Sequence, residues 1–420
     1  MRNPCRLDIY NADVADFQRP GFWHSWKIRI SLLMSLATRL TALMTDKAIS
    51  IRIHLGLDSL SSRWQQLEVC TATSLHQSYD WCREWLAAHG TTPLVIEAVI
   101  DGRTELILPL EMKWMGPVRV ARFIGAAFSN LNTGLFELGF SGHRPDLIGA
   151  IRTAASPHTD VLVLENMPLA WRGVENPLAN LPMTPNTNSS FQLELDRSFE
   201  ATLAKLNASK RMKKFRASNR RFLEAGGYEH VVATGADVAG DMLDLFFKQK
   251  SARFENQHLP DVFSDPMTRA FFLRLAQLPQ QGPNYALQLH ALCLKGDHDR
   301  KTVAIAGLSR KGDHVICQFG SIDDSIIPNA SPGDFLFHLI IEQLCKDDIG
   351  VFDFGVGDQT YKRAWCNIET NQYDFMLPIT ARGEAYARAH RLKTHAKRYI
   401  KSRPALYGLI QRVRAKLPFR

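Results

Sequence analysis

The order of the apolar segments limits most strongly how this chain can fold. A unit made of a helix, a strand meander, a second helix and a strand occurs between residues 79 and 168, and returns in longer form after residue 190. Helices that alternate with strands indicate an α/β domain around one sheet, and repetition of such a unit indicates duplication. The sequence therefore predicts an α/β chain of the α+β kind, built from two related mixed-sheet domains.

Turn residues mark the members of each unit. The run 93–115 predicts a hairpin around Asp101 and Gly102, and the helix before it ends at Gly90. In the second unit, residues 285–323 predict three strands with turns at Gly296 and Gly312. We place the last strand, YDFMLPIT, at the end of this second unit.

These boundaries divide the chain into five segments. They are an N-terminal extension (1–49), a first, degenerate domain (50–180), a linker rich in Pro, Asn, Thr and Ser (181–190), a second, complete domain (191–381) and a basic helical tail (382–420). Residues 28–44 predict an amphipathic helix, because Arg29 and Arg39 interrupt a run too short to span a bilayer. Met44 is an alternative start of the working protein.

The positive charge is concentrated in the tail. From Arg382 onward there are 12 Lys and Arg and one acidic residue, a net charge of +11, whereas the whole chain has +9. Such a tail indicates an anionic partner, either a membrane leaflet or RNA, although a solvated helix that keeps the protein soluble is equally consistent with it. We expect a cytoplasmic protein, with peripheral binding to the inner membrane as the membrane alternative.

The seven cysteines indicate neither disulfides nor a metal site. None of them forms a CxxC pair, and no histidine lies at a ligand spacing from any of them. We expect no metal cofactor and a reducing compartment.

Four segments of the second half resemble a known family when they are taken in order. They are SKRMKKFRASNRRFLEAGG (209–227), TVAIAGLSRKGDHVICQFGSID (302–323), SPGDFLFHLIIEQL (331–344) and FDFGVGDQTYKRAW (352–365). Together they resemble the GNAT acyltransferases, and among these the CelD-type (BcsL-like) proteins linked to cellulose and exopolysaccharide production. The Fem-type aminoacyl transferases, which use two such domains, are similar as well.

The resemblance implies a gap between two splayed strands that receives an acyl thioester, acetyl-CoA or another acyl-CoA. A helix starting at SPGD would point its N-terminus at the diphosphate, because free N–H groups and the helix dipole favour an anion there. Asp334 adds a negative charge at that place, and the segment is equally consistent with an ordinary helix start. The residues predicted to bind the cofactor are Ser331, Pro332, Gly333, Asp334, Gly355 and Gly357.

The block after the second splayed strand carries the predicted chemistry. The resemblance implies that Tyr361 protonates the leaving thiolate, and either Asp353 or Asp358 could accept a proton from the attacking group. The alternative is that Tyr361 and Trp365, four residues apart on a helix, simply pack in the core.

Cations without intervening acids indicate that anions bind nearby. Between residues 205 and 221 there are eight cations and no acid, although a solvated basic face would show the same pattern. The residues predicted to bind an anionic substrate are Lys210, Arg211, Lys214, Arg220, Lys250, Arg253 and Lys362.

The predicted function is transfer of an acyl group from acyl-CoA to a nitrogen or oxygen of a small-molecule or glycan-precursor acceptor, in envelope or exopolysaccharide metabolism. Two alternatives remain open. The first is a Fem-type transferase that uses aminoacyl-tRNA, the one case in which we expect nucleic acid to bind. The second is a non-catalytic, membrane-side partner of a polysaccharide synthase.

Overall fold

The computed structural model describes residues 48–140, 142, 145–280, 282–401 and 403. The amphipathic helix predicted at 28–44 and the tail beyond residue 403 lie outside the described residues. The strands are β1 Ile49–His54, β2 Thr92–Ile100, β3 Arg103–Met115, β4 Val118–Phe123, β5 Leu135–Phe136, β6 Val161–Met167, β7 Ala170–Trp171, β8 Val174–Glu175, β9 Met183–Pro185, β10 Ser190–Glu194, β11 Tyr228–Val232, β12 Tyr285–Leu294, β13 Thr302–Lys311, β14 His314–Ile322, β15 Val351–Val356, β16 Ile368–Thr370 and β17 Tyr373–Pro378.

The helices surround these strands. They are α1 Ser61–Glu68, α2 Tyr79–His89, α3 Pro145–Ala155, α4 Phe199–Ala204, α5 Ala208–Glu224, α6 Ala236–Asn256, α7 Pro266–Gln277, α8 Pro332–Lys346, α9 Thr360–Trp365 and α10 Ala381–Lys401. Of the helices in the described part of the chain, none is long and apolar enough to cross a membrane.

Two mixed sheets share one plan. The first has the order β1-β2-β3-β4-β6-β17-β9, with β5 beside β3, and the second has the order β11-β12-β13-β14-β15-β10-β16. Within each sheet one pair of neighbours is parallel, β4 with β6 and β14 with β15, and the other paired strands are antiparallel. The duplication predicted from the repeated unit is therefore confirmed.

One strand that was predicted in the second sheet lies in the first. The segment YDFMLPIT, placed at the end of the second domain, forms β17 and pairs antiparallel with β6 of the first sheet. Its alternate residues Phe375 and Leu377 are buried in the core of the first domain. This burial explains why the strand pairs with the first sheet. The predicted linker also contributes β9, which extends the first sheet beyond β17. The chain therefore returns to its first domain after completing the second, and the boundary at residue 381 is wrong.

Local signals account for most element ends. Asp101 and Gly102 have φ values of 51° and 76° and close the predicted hairpin, and Gly90 (φ 61°) ends α2 as predicted. The basic segment forms two helices, because the side chain of Asn207 accepts a hydrogen bond from the Lys210 amide and starts α5 after α4 has ended. Helix α7 was not predicted from the sequence, although Asp265 and Pro266 are a typical helix start.

The second sheet is covered on both faces. Helices α4, α5 and α8 pack on one face through a core that includes Phe222, Phe335 and Ile340. Helices α6 and α7 cover the other face, and α2 of the first domain packs against α7 there, with Trp85 and Phe271 at 5.0 Å between ring centroids. One hydrophobic cluster thus joins the two domains on that face.

Candidate active site

The two parallel strands of the second sheet separate partway along their length. They pair at His314 with Val351, Val315 with Phe352 and Ile316 with Asp353. Beyond these pairs β14 continues beside β13, and β15 continues beside β10. A gap therefore opens at the carboxyl ends of β14 and β15, the edge where open α/β sheets bind ligands.

Asp353 lies at the base of this gap and is fully buried. Its Oδ1 accepts a hydrogen bond from the Gly355 amide at 2.7 Å. Its Oδ2 lies 3.4 Å from His314 Nε2, and neither of these buried atoms has a hydrogen-bond partner. A carboxylate oxygen buried without a donor is costly, so a donor group of a substrate would be bound favourably there. His314 was not among the predicted site residues.

Lys362 brings a buried ammonium to the same place. Its Nζ donates to the carbonyl oxygens of Gly355 (3.1 Å) and Val356 (2.9 Å). Burial lowers the pKa of Lys362, and the nearby charge of Asp353 opposes that shift. An ammonium has three N–H donors, so these two bonds leave one for a substrate oxygen.

Tyr361 packs between α8 and the end of β15. Its ring is stacked on Phe337, with centroids 5.9 Å apart and planes 9° apart, and meets Phe354 at 6.0 Å and 65°. The residue is 41% exposed, yet this packing removes enough water from the phenol to raise its pKa. Tyr361 therefore keeps its proton at neutral pH, as a general acid must.

Asp358 is held at the surface. Both of its carboxylate oxygens accept hydrogen bonds from Arg363, at 2.5 Å and 2.8 Å. A carboxylate in a bidentate pair with a guanidinium must break that pair before it accepts a proton. Of the two predicted bases, Asp353 is therefore the stronger candidate.

Two glycines shape the end of β15. Gly355 and Gly357 have φ values of 72° and 114°, which only glycine adopts readily. A Cβ on Gly355 would also lie 3.0 Å from the Asn130 side chain. The chain thus turns at the end of β15 through two glycine conformations, and a side chain of the first domain lies beside that turn.

The first domain forms one wall of the site. Asn130 Oδ1 accepts a hydrogen bond from the Val356 amide at 3.4 Å, and His76 Nε2 lies within hydrogen-bond distance of Gln318 Oε1, at 3.2 Å. Burial lowers the pKa of His76 to about 4, so the ring is neutral. Asn130 and His76 were not predicted as site residues, because neither lies in a segment with a periodic apolar pattern.

The start of α8 differs from the predicted phosphate site. Ser331 has a left-handed backbone (φ 51°), Pro332 is the first helical residue, and a Cβ on Gly333 would lie 2.7 Å from Ile322 Cγ2. Because Gly333 has no side chain, α8 can pack closely on β14. The glycine is therefore explained by packing as well as by the approach of a ligand.

The carboxylate of Asp334 is paired with the two cations nearest to the start of α8. It accepts hydrogen bonds from Arg211 Nη1 (2.8 Å) and Trp365 Nε1 (2.8 Å), and Lys214 Nζ lies at 3.2 Å. Arg211, predicted to bind a substrate anion, is instead 8% exposed, and it also donates to the Ala364 carbonyl. A phosphate at this position would have to compete with the Asp334 carboxylate.

The remaining predicted cations fall into two groups. Lys210 and Arg220 are exposed on α5, and Arg220 Nε lies 3.7 Å from Glu224. Lys250 and Arg253 lie on α6. Burial lowers the pKa of Lys250, and the positive charge of Arg253 lowers it further. Lys250 also acts electrostatically on Cys317, a β14 residue beside the gap whose pKa is raised to about 12 by burial.

The corresponding gap in the first sheet is filled by the protein itself. The parallel pairing of β4 with β6 ends at Arg122 and Val163. Beyond it, Arg122 Nη2 binds Glu165 Oε2 at 3.0 Å, and Asn132 Nδ2 donates to the Glu165 carbonyl at 2.8 Å. In the first sheet these side chains therefore bridge the strands at the position where β14 and β15 separate in the second.

Comparison with known proteins agrees with this geometry. Residues 209–363 match a family model described as an acetyltransferase (GNAT) domain. The crystal structure of FemX superposes with a TM-score of 0.55 at 10% identity, covering 78% of this chain and 97% of that one. The second domain has the GNAT acyltransferase fold. The prediction of tandem GNAT-like domains is confirmed.

Two further solved structures are similar over most of the chain. The C-terminal domain of a putative lysylphosphatidylglycerol synthetase from Agrobacterium fabrum matches at TM-score 0.49 and 13% identity, covering 80% of this chain and 95% of that one. A tandem GNAT protein from the clavulanic acid biosynthesis pathway matches at TM-score 0.43 and 10% identity, covering 79% and 99%. A search of curated protein sequences found no match.

Proposed function

We propose that this protein transfers an acyl group, acetyl in the first instance, from acyl-CoA to an amine or hydroxyl acceptor. The observation that carries the proposal is the separation of β14 from β15 beyond Asp353, with the Lys362 ammonium at the point of separation. A thioester placed there would meet a donor for its carbonyl oxygen, a buried carboxylate and a protonated phenol.

The chemistry can be assigned to these three groups. The acceptor's nitrogen or oxygen attacks the thioester carbonyl carbon, and the remaining N–H of Lys362 stabilises the negative oxygen. Asp353 takes the proton that the acceptor loses. The carbon–sulfur bond then breaks, and Tyr361 protonates the leaving thiolate, so the two proton transfers balance.

The diphosphate of CoA has to be bound mainly by exposed cations. Asp334 opposes an anion at the start of α8, but Lys210, Lys214 and Arg220 are exposed on the adjacent helix α5. The acceptor class, an envelope or exopolysaccharide precursor, rests on the resemblance to CelD-type proteins. A cytoplasmic location follows from the use of acyl-CoA.

Thermal shift with acetyl-CoA and release of free thiol from it test the proposal together. A ligand at 100 times its dissociation constant adds about 2.7 kcal/mol to the unfolding free energy, which is measurable. Lys362→Met should remove thiol release, whereas Lys301→Met, at an exposed position just before β13, should leave it unchanged. If acetyl-CoA and longer acyl-CoA neither shift the melting temperature nor lose their acyl group, the proposal fails.

A second candidate donor is aminoacyl-tRNA. The Asp334 carboxylate at the helix start and the exposed cations of α5 favour it, because a polyanion can bind those cations without using the start of α8. Binding of tRNA whose affinity falls steeply with salt, without binding of acyl-CoA, would select this donor.

A further inference from the structure

Helix α10 presents apolar side chains to solvent. Leu392 is 72% exposed and Tyr399 is 53% exposed. They are seven residues apart, which places them on the same face of a helix, two turns from each other. Exposed apolar groups that share one helix face can form part of a surface that binds a membrane or another protein.

The opposite side of α10 is fixed to the first domain. Ala387 is fully buried, and Tyr386 packs against the small cluster of Val118, Val120 and Val161. The first two turns of the helix are therefore fixed on the first domain, and Leu392 follows five residues after the buried Ala387.

Cations flank the exposed stripe. Arg388, Arg391 and Lys393 are exposed beside Leu392. Glu384 binds Arg388 at 2.8 Å and Arg391 at 3.4 Å, so it compensates for only part of this charge. The guanidinium of Arg403 lies 4.3 Å from the centroid of the Tyr399 ring. Apolar groups between cations, with an aromatic ring near the end, form the pattern of a helix that lies on an anionic membrane.

We propose that α10 binds the surface of a bilayer containing anionic lipids, with Leu392 and Tyr399 inserted at the level of the headgroups and acyl chains. Each cation near such a surface strengthens binding about fivefold. RNA would use the same cations but would leave Leu392 in water, so the apolar stripe favours the membrane. This inference does not depend on the proposed acyl transfer.

The test is cosedimentation of the full-length protein with vesicles of phosphatidylcholine alone or mixed with phosphatidylglycerol. The variants are Lys393→Gln and the pair Leu392→Ser with Tyr399→Ser. Matched controls lie on α5, where Lys213 is exposed and Leu223 is 59% exposed. They are Lys213→Gln and Leu223→Ser. All these side chains are at the surface, so the variants should fold, and thermal melting checks this.

We expect binding to the anionic vesicles only. Lys393→Gln should weaken it about fivefold, and the double serine variant should weaken it at least tenfold, since a leucine loses most of its burial. The α5 controls should bind like the unmodified protein. The inference is overturned if the protein ignores anionic vesicles, if the controls weaken binding as much as the α10 variants, or if tRNA is bound through Lys393 while vesicles are not.

Discussion

Replacing Asp334 with asparagine tests how the start of α8 is stabilised. Asn keeps the size of the side chain and can still accept the hydrogen bond from Trp365, which is 2.8 Å long in the native protein. It removes the negative charge that pairs with Arg211 and Lys214. The substitution therefore isolates the ion pairs from the packing.

The burial of the pair sets the size of the effect. The side chains of Arg211 and Asp334 are only 8% and 15% exposed, so the guanidinium of Arg211 would remain nearly buried without a counter-charge. Removing one partner of a buried pair typically costs about 3–5 kcal/mol. Because Arg211 also donates to the Ala364 carbonyl, we expect about 3 kcal/mol, the lower end of that range.

Urea unfolding at pH 7 measures this loss, and a surface pair provides the control. Arg197 and Asp348 also form an ion pair, at 2.8 Å, but their side chains are 85% and 67% exposed. Asp348→Asn should therefore change the unfolding free energy by less than about 1 kcal/mol.

The same variant reports on anion binding. With the carboxylate removed, the exposed Lys214 loses its partner and the repulsion of an anion at the start of α8 disappears, so the affinity for CoA should rise although the protein is less stable. The reasoning about α8 is refuted if Asp334→Asn costs no more than Asp348→Asn, or if it weakens CoA binding in a folded protein.

Three further predictions concern single residues. Tyr361→Phe should lower turnover of acetyl-CoA by about 10²- to 10⁴-fold with unchanged binding, since only the proton donor is lost. A fully active variant would show that the ring only packs and does not donate a proton. Gly333→Ala should destabilise the protein by about 1–3 kcal/mol in urea unfolding, because the new Cβ meets Ile322, although alanine normally favours a helix. Adding Ile322→Ala should recover part of the loss, and a single variant that is more stable than the unmodified protein would contradict this packing. The pKa of His76 is lowered to about 4 from about 6.5, so the unfolded chain binds a proton that the folded one does not, and stability falls as pH drops below about 6.5. His76→Gln should therefore lose about 2 kcal/mol less than the unmodified protein between pH 7 and pH 5, and equal losses would show that the ring is not kept neutral by the fold.

The fold could be predicted where local signals and periodicity agree. The Asp101-Gly102 hairpin, the end of α2 at Gly90 and the meander turn at Gly312 all depend on backbone positions that glycine favours. The partner of β17 could not be predicted, because an alternating apolar strand fits the core of either sheet. Which sheet β17 joins depends on which sheet the chain can reach after residue 365.

The site could be predicted only in part, because some of its residues are far apart in the sequence and meet only in the fold. Asp353, Tyr361 and Lys362 are close in sequence to one strand end, so a reading of that segment brings them together. His314 and Asn130 reach the site through the sheet and through the other domain, and no spacing in the sequence connects them to it. The role of Asp334 was also hidden, because its partner Arg211 is 123 residues away.

Hydrogen–deuterium exchange of the full chain with and without acetyl-CoA tests the central claim most directly. If the thioester enters the gap between the two strands, acetyl-CoA should slow exchange at residues 317–322 of β14 and 354–357 at the end of β15. The first-sheet strands β4 and β6, whose gap is already bridged by Arg122 and Glu165, are the internal control and should not change. Protection confined to α5, or protection at β4 and β6 instead, would contradict the proposed site.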